Sequence, residues 1–379
     1  MKNPIYLDYN ATTPLDPEVA RAMVPFLEKE FGNPSSAYGY GIRTKRAVES
    51  ARGRVAALLG CKPGEIVFTS GGTESNNCAV KGIALANRDR GNHIITSSIE
   101  HPAILEVCRY LEKYGFVTTY LPVDDTGLID PKQVAAAVSE KTILITIMHG
   151  NNEVGTIEPV AEISKIARKH GIPFHTDAAQ SAGKIETDVE ALGVDLLTLA
   201  GHKLYAPKGI GALYIREGTI LEKFMHGAGQ ERGFRSGTEN VLEIAGLGKA
   251  CEIALRDLEK NREIMIRSRD SFFSILSAAL GDHVRLNGHP ERRLPNTVSL
   301  GFRDREAPLL LAGLFDKVAV SAGAACHSGE TTVSRVLQAM NVPMDFAKGT
   351  LRFSTGRFTT EEDAKQAAQS VLEVLKDIR

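Results

Sequence analysis

Lys203, in the string Ala200-Gly201-His202-Lys203, and Asp177, in Asp177-Ala178-Ala179-Gln180, each follow a short apolar run. A lysine amine can condense with an aldehyde. A carboxylate can keep a pyridine nitrogen protonated, so that the ring draws off electron density. Together these are the groups that pyridoxal phosphate requires. Thr69-Ser70-Gly71-Gly72-Thr73-Glu74-Ser75-Asn76 follows Ile66-Val67-Phe68. Small residues there let backbone amides approach an anion where a helix begins, and Thr73 adds a hydroxyl. Taken alone, that string serves equally well as a glycine turn with a helix cap. Glu100-His101-Pro102 follows Ile99, and His149-Gly150-Asn151-Asn152-Glu153 follows Met148. His101 by itself reads as a capped surface histidine, Asn152 as a turn former, and Lys203 as a solvated lysine. The recurrence of a polar or titratable residue after each apolar run is harder to assign to chance.

Elements that would bring these residues together are legible in the same stretch. Strand-like runs at Ile66-Val67-Phe68, Ile94-Ile95-Thr96, Val117 to Leu121, Ile143 to Ile147, Pro173 to Thr176, Leu196 to Leu199 and Gly211 to Ile215 alternate with helical segments. Strands alternating with helices predict a mostly parallel sheet covered on both faces, here of seven strands. Ligands of such sheets bind beyond the carboxyl ends of the strands, which is where every residue named above falls. After Glu243 the pattern changes. A long helical stretch runs from Ile244 to Leu280, strand-like runs follow at Asn296 to Phe302, Val318 to Ser321 and Leu351 to Ser354, and a final amphipathic helix begins near Thr360. The expectation is an α/β chain with a large domain over 15–243 and a smaller α+β domain over 244–379, with 1–14 joining either.

The 379 residues carry a formal net charge of -1, 43% hydrophobic and 24% charged residues. That balance suits a globular enzyme and gives no electrostatic reason to expect nucleic acid or an anionic membrane as partner. The first residues lack an apolar signal core, and a cytoplasmic location is expected. The cysteines at 61, 78, 108, 251 and 326 form no C-x-x-C pair, so no metal site is expected. Cys61, Cys78, Cys108 and Cys251 read as small buried hydrophobes. Cys326 differs: it lies in Ser321-Ala322-Gly323-Ala324-Ala325-Cys326-His327-Ser328-Gly329, a stretch of small residues that suits a mobile loop with an exposed thiol.

These motifs resemble those of the cysteine desulfurases, fold-type I pyridoxal-phosphate enzymes of the class V aminotransferase group. The resemblance runs from Tyr6-Leu7-Asp8-Tyr9-Asn10-Ala11-Thr12-Thr13-Pro14 and Phe31-Gly32-Asn33-Pro34-Ser35-Ser36 through Gln230-Glu231-Arg232 and Arg235-Ser236-Gly237-Thr238-Glu239-Asn240 to Leu351-Arg352-Phe353-Ser354. It implies that Lys203 holds the cofactor as a Schiff base and moves the α-proton. It further implies that His101 stacks on the ring and relays protons, Asp177 meets the ring nitrogen, and Asn152 and Gln180 contact the ring hydroxyl region or the substrate. Gly72, Thr73 and His202 would bind the phosphate, joined by Thr238 reaching from a partner subunit of a homodimer. Arg352 would grip the substrate carboxylate as a bidentate fork. Cys326 would take sulfur from L-cysteine as a persulfide, leaving L-alanine, and pass it to an acceptor protein such as an iron–sulfur scaffold.

The chain departs from the family pattern in three places. Ala200 replaces a serine that donates to the phosphate, Tyr38 stands where histidine is frequent, and His327 follows the nucleophile where threonine is frequent. Ala200 together with the Ala-Ala-Cys-His-Ser string also resembles selenocysteine lyases, which keeps L-selenocysteine as an alternative substrate. A catalytically weak binding or scaffold protein and an aminotransferase of the same fold rank below these. The former has no need of the intact catalytic set and the latter no use for Cys326.

Overall fold

The computed structural model describes residues 3–322, 324–327 and 330–377, and the side chains of 324–332 fall outside that description. The chain enters through β1 (Ile5–Tyr6) and then forms a seven-stranded sheet from β2 (Ile66–Thr69), β3 (His93–Ser97), β4 (Val117–Leu121), β5 (Thr142–Thr146), β6 (Phe174–Asp177), β7 (Leu196–Ala200) and β8 (Gly211–Ile215). The strand order is β2-β8-β7-β6-β5-β3-β4. β8 runs antiparallel to both neighbours, and the remaining pairs are parallel.

Alternate residues of these strands serve two cores. Ile66, Phe68, Ile145, Leu197, Leu199 and Tyr214 pack with the helices Pro17–Glu28, Gly39–Leu59, Val160–Lys169 and Val241–Arg256. Val67, Leu144, Leu196 and Leu213 pack with Gly72–Ala86 and Pro102–Glu112 on the other face. Apolar side chains on both faces explain why the strands read as continuous apolar runs rather than as alternating ones.

A second sheet joins β9 (Val284–Asn287), β10 (Thr297–Phe302), β12 (Ser321–Ala322) and β15 (Thr350–Ser354) in the antiparallel order β12-β15-β10-β9. The intervening β11 (Val318–Ala319) pairs in parallel with β1. Leu7 belongs to this second core, with Phe272, Leu300, Phe353 and Val371, so the first residues fold with the C-terminal part. The helical stretch expected over 244–280 is two helices, Val241–Arg256 and Leu258–Leu280, broken at Asp257. The break marks a change of partner. Ile244, Leu247, Cys251 and Ile253 lie in the core of the large sheet, whereas Phe272 and Leu276 lie in the second core. The change of core therefore falls at Asp257 and not at residue 243, because the first of these helices has its apolar face against the large sheet.

The backbone around Cys326 is more regular than a loop. β13 (Ala324–His327) and β14 (Glu330–Val333) pair antiparallel, with Cys326 opposite Thr331. One root of this hairpin is β12, where Ser321 pairs with Arg352. The other root is Val333, which packs with Ile99 and Met148 at the carboxyl edge of the large sheet.

Candidate active site

Beyond the carboxyl ends of β2, β3, β5, β6 and β7 lies a cavity of about 330 Å³. Gly72, Thr73, His101, Asn152, Asp177, Gln180, His202, Lys203 and Arg352 all line it. The cavity wall also includes Asn10, Ala11, Asn76, Met148 and Ala200, to which the sequence pattern gave no binding role.

The sheet positions one set of groups directly. Gly71 has φ +147 and ψ 179, a conformation closed to other residues, and turns the chain sharply from β2 into the helix that begins at Gly72. The unpaired amides of that first turn and the Thr73 hydroxyl make an anion cradle beside the cavity. Four residues on from Gly72, one helical turn away, Asn76 donates from Nδ2 to Asp177 Oδ2 at 2.7 Å. The Ala179 amide donates to Asp177 Oδ1 at 2.9 Å. The carboxylate is thus held by both oxygens with its charge turned to the cavity. His101 caps the helix Pro102–Glu112, its Nδ1 accepting from the Ala103 amide at 3.1 Å. In the neutral ring that assigns the proton to Nε2. Burial draws His101 below its usual pKa; Asp177 opposes this and Lys203 adds to it.

The other wall comes from distant segments. Lys203 Nζ donates to the carbonyl oxygens of Asn10 and Ala11. Burial, and after it the Arg352 charge, lowers the Lys203 amine to about 8, against the pull of Asp8 and Asp177. An amine with that value is a far better base and nucleophile near neutrality than a solvated lysine. Burial, with smaller contributions from Lys203, Lys208 and His101, takes His202 down to about 4, so it is neutral. Arg352 projects from β15, donating to the Asn152 carbonyl at 3.0 Å and to Asp8 Oδ1 at 2.8 Å. Its buried Nε has no partner among the described residues, a free donor beside the cavity.

Asn10 joins the two walls. Its Nδ2 donates to the Asn152 carbonyl at 3.1 Å and to Thr297 Oγ1 at 2.8 Å, and its amide donates to Ser354 Oγ at 2.9 Å. The turn after Lys203 is clamped from the same segment: Thr13 Oγ1 donates to the His202 carbonyl and accepts from the Tyr205 amide, at 3.0 and 2.8 Å. Tyr205 sits at φ 61, and the Arg357 guanidinium lies 3.9 Å from its ring centroid while also pairing with Asp16.

The residues present fit a phosphorylated pyridine aldehyde. An anion cradle at Gly72-Thr73, a buried carboxylate at Asp177, an amine of lowered pKa at Lys203 and a flat imidazole at His101 line one cavity of suitable size. The Ala200 methyl sits 3.2 Å from where a Cβ on Gly72 would lie, so that wall is apolar where the family pattern has a hydroxyl. One expected residue stands apart. Thr238 lines a separate hollow with Ser70, Gly209 and Arg235 and is exposed. The Cys326 side chain lies outside the described residues. Asn76 was discoverable from its helical spacing to Gly72; Asn10 and Lys184 were not, because their contacts span 142 to 344 residues of sequence or lie inside a turn.

The model of the aminotransferase class-V family matches residues 5–366. Cysteine desulfurase IscS of Dictyoglomus turgidum is 49% identical over 380 residues, covering 100% of this chain and 96% of that one. Its counterpart from Methanosarcina thermophila is 47% identical, covering 99% and 93%. A solved NifS-like protein superimposes with a TM-score of 0.92 at 38% identity, with 100% of each chain covered. The structure of SspA in complex with cysteine does so with a TM-score of 0.82 at 37% identity, covering 94% and 99%. The chain belongs to the class-V aminotransferase family and has its fold-type I architecture. Within that class it groups with the cysteine desulfurases.

Proposed function

We propose that this protein is a pyridoxal-phosphate-dependent cysteine desulfurase that converts L-cysteine to L-alanine and carries the released sulfur as a persulfide on Cys326. The observation that carries the reading is the convergence of Lys203, Asp177, His101, the Gly72-Thr73 cradle and Arg352 on one cavity. Gly72, Thr73 and His202 would hold the phosphate, Asp177 the ring nitrogen, His101 one ring face, and Asn152 and Gln180 the ring hydroxyl region. When bound, the cofactor supplies an electron sink for the carbanion at the substrate α-carbon.

The chain's own groups do the rest. Arg352, held by Asp8 and the Asn152 carbonyl, orients the substrate carboxylate. The Lys203 amine, lowered to about 8, would take the α-proton and return a proton to the product. The Cys326 thiolate attacks the substrate sulfur: the C–S bond breaks, an S–S bond forms, and the substrate β-carbon keeps the bonding pair and gains one proton to become the methyl of alanine. One cysteine and one thiol thus give one alanine and one persulfide.

Tether length supports the reach of Cys326. Ser321 stands opposite Arg352 in the sheet, and the five residues from there to Cys326 span at most ~17 Å when extended. Thr238, exposed and outside the cavity of its own chain, is assigned to the phosphate of a partner subunit, which makes the enzyme a homodimer. None of the helices, among the described residues, is long and apolar enough to cross a membrane. We assign the protein to the cytoplasm, with an iron–sulfur scaffold or another sulfur carrier as acceptor.

The test measures alanine formed from L-cysteine and from L-selenocysteine by the wild type and Cys326→Ala, with mass spectrometry of the Cys326 peptide. Loss of cysteine turnover and of the persulfide in the variant is expected. Strong selenocysteine turnover with negligible cysteine turnover by the wild type would overturn the reading in favour of a selenocysteine lyase.

A further inference from the structure

Behind Lys203 lies a second lysine that the mechanism above does not use. Lys184 is 5% exposed. Its Nζ donates to Gln180 Oε1 at 2.8 Å and to Asn10 Oδ1 at 3.3 Å. Both acceptors are neutral amides, and no carboxylate pairs with it among the described residues. The ionisable groups facing Lys184 are Lys203, from the turn after β7, and Arg352, from β15. Around Lys203 itself stand Asp8, Asp177 and His101. Burial first, and then the Lys203 and Arg352 charges, hold the Lys184 amine well below its ordinary value. Gly183 brings Lys184 there. It sits at φ +73, where a Cβ would fall 2.2 Å from Leu204 Cδ2, so this turn and the Lys203 turn are packed in contact.

The neighbouring amide has a determined orientation. Gln180 Nε2 donates to the Asn10 carbonyl at 3.0 Å, and a carbonyl oxygen can only accept. Lys184 meets the other end of the same amide, the oxygen. Both ends of Gln180, which lines the cavity, are therefore specified at once, and its second Nε2 hydrogen is left uncommitted among the described residues. A glutamine without such a constraint can turn by half a revolution and present its oxygen instead.

We infer that Lys184 is a positioning residue which locks the Gln180 amide so that an N–H, and not a carbonyl oxygen, faces the ring hydroxyl of the bound cofactor. This inference rests on the cofactor reading above. An N–H facing that oxygen favours its ionised form. Its loss therefore raises the pH at which the visible absorption of the bound cofactor changes.

The experiment is a spectral pH titration of the cofactor-loaded enzyme in four forms: wild type, Lys184→Met, Gln180→Leu and the double variant. Lys184→Met is expected to raise the midpoint by about half to one pH unit, the equivalent of one ordinary hydrogen bond. In the Gln180→Leu background the same change is expected to move the midpoint by less than ~0.2 units, because its route is gone. Lys184→Gln, which keeps an N–H donor for the Gln180 oxygen and removes the charge, is expected to hold the midpoint within ~0.2 units of wild type and serves if Lys184→Met fails to accumulate; a shift as large as that of Gln180→Leu overturns the inference. An unmoved midpoint in Lys184→Met, or an equal shift with and without Gln180, overturns the inference, the second outcome assigning Lys184 a direct charge effect. A wild-type protein that takes up no cofactor and shows no visible band overturns instead the reading beneath it.

Discussion

The cavity has two walls of different origin. One consists of Gly72, Thr73, His101, Asp177 and Lys203, each delivered by a strand end and the turn that follows it. Its geometry is local: Asn76 to Asp177 is a helix bonded to the neighbouring sheet edge, and His101 caps its own helix. The other wall consists of Asn10 and Arg352, which come from the N-terminal segment and β15; Asp8 holds Arg352 from behind, and the Asp8–Arg352 and Asn10–Ser354 bonds each span 344 residues. The strand-end wall carries the groups that, on the function proposed above, would move protons and hold a cofactor. The long-range wall carries the groups that would recognise a carboxylate and brace the lysine. The difference teaches that a parallel sheet can place titratable groups on its own, whereas the substrate recognition proposed for Arg352 would depend on a second core docking correctly.

The largest expected effect tests the strand-end wall. Lys203→Ala should lower the rate of alanine formation by at least ~10³-fold, as loss of a positioned proton-transfer group does, and should abolish covalent attachment of the cofactor, read by mass spectrometry after reduction. A variant that keeps its turnover would break the assignment of chemistry to that wall. Arg352→Ala tests the other wall. Losing a charge-assisted contact to the substrate carboxylate should cut kcat/KM for L-cysteine by about tenfold to a hundredfold, chiefly through KM, in steady-state assays. A fall in kcat at constant KM would mean that the two walls do not divide their work in this way.

Two smaller effects sharpen the comparison. Arg357 and Asp16, with side chains 7% and 10% exposed, fasten the segment after β15 to the start of the helix Pro17–Glu28. Arg357→Met should strand Asp16 and destabilise the protein by roughly 3–5 kcal/mol, measured by denaturant unfolding, with the Arg352 site loosening before the strand-end wall. The last prediction concerns pH. Burial raises Glu100, whose Oε1 accepts from Ser97 Oγ and the Met148 amide, from 4.5 to about 8. The folded protein therefore keeps a proton there that the unfolded chain releases, and stability falls as pH rises from about 4.5 to about 8. Buried His149 is lowered from 6.5 to about 4, so the unfolded chain gains a proton first and stability also falls as pH drops through that range. Glu100→Gln should flatten the alkaline limb of a melting-temperature profile and leave the acid limb in place. An unchanged alkaline limb would show that Glu100 is ionised in the fold.

The half-exposed edge strand β4 was legible from its β-branched and aromatic residues. The other strands were legible because both faces of the sheet are buried there, which writes them as apolar runs with a polar punctuation mark at the end. The strand-end residues were legible for the same reason. The break at Asp257 was not, since an apolar helical pattern continues across it and only the identity of the packing partner changes. Nor did the small-residue composition around Cys326, which suggests an irregular loop, reveal the β13–β14 pairing, because pairing depends on a partner strand more than on intrinsic preference.

By itself, then, the sequence determined the parallel sheet, the order of the groups along its carboxyl edge and the chemistry those groups can perform, because each of these is a local consequence of residue type and spacing. The tertiary structure alone decided that Asn10 lines the cavity, that Asp8 holds Arg352 against it, that Lys184 meets Gln180 behind the cavity wall, and that the two roots of the Cys326 hairpin lie beside its rim. Apart from the Lys184–Gln180 bond, which closes a turn, these contacts arise where the two cores meet. Nothing in the spacing of residues along the chain encodes the angle at which two cores dock.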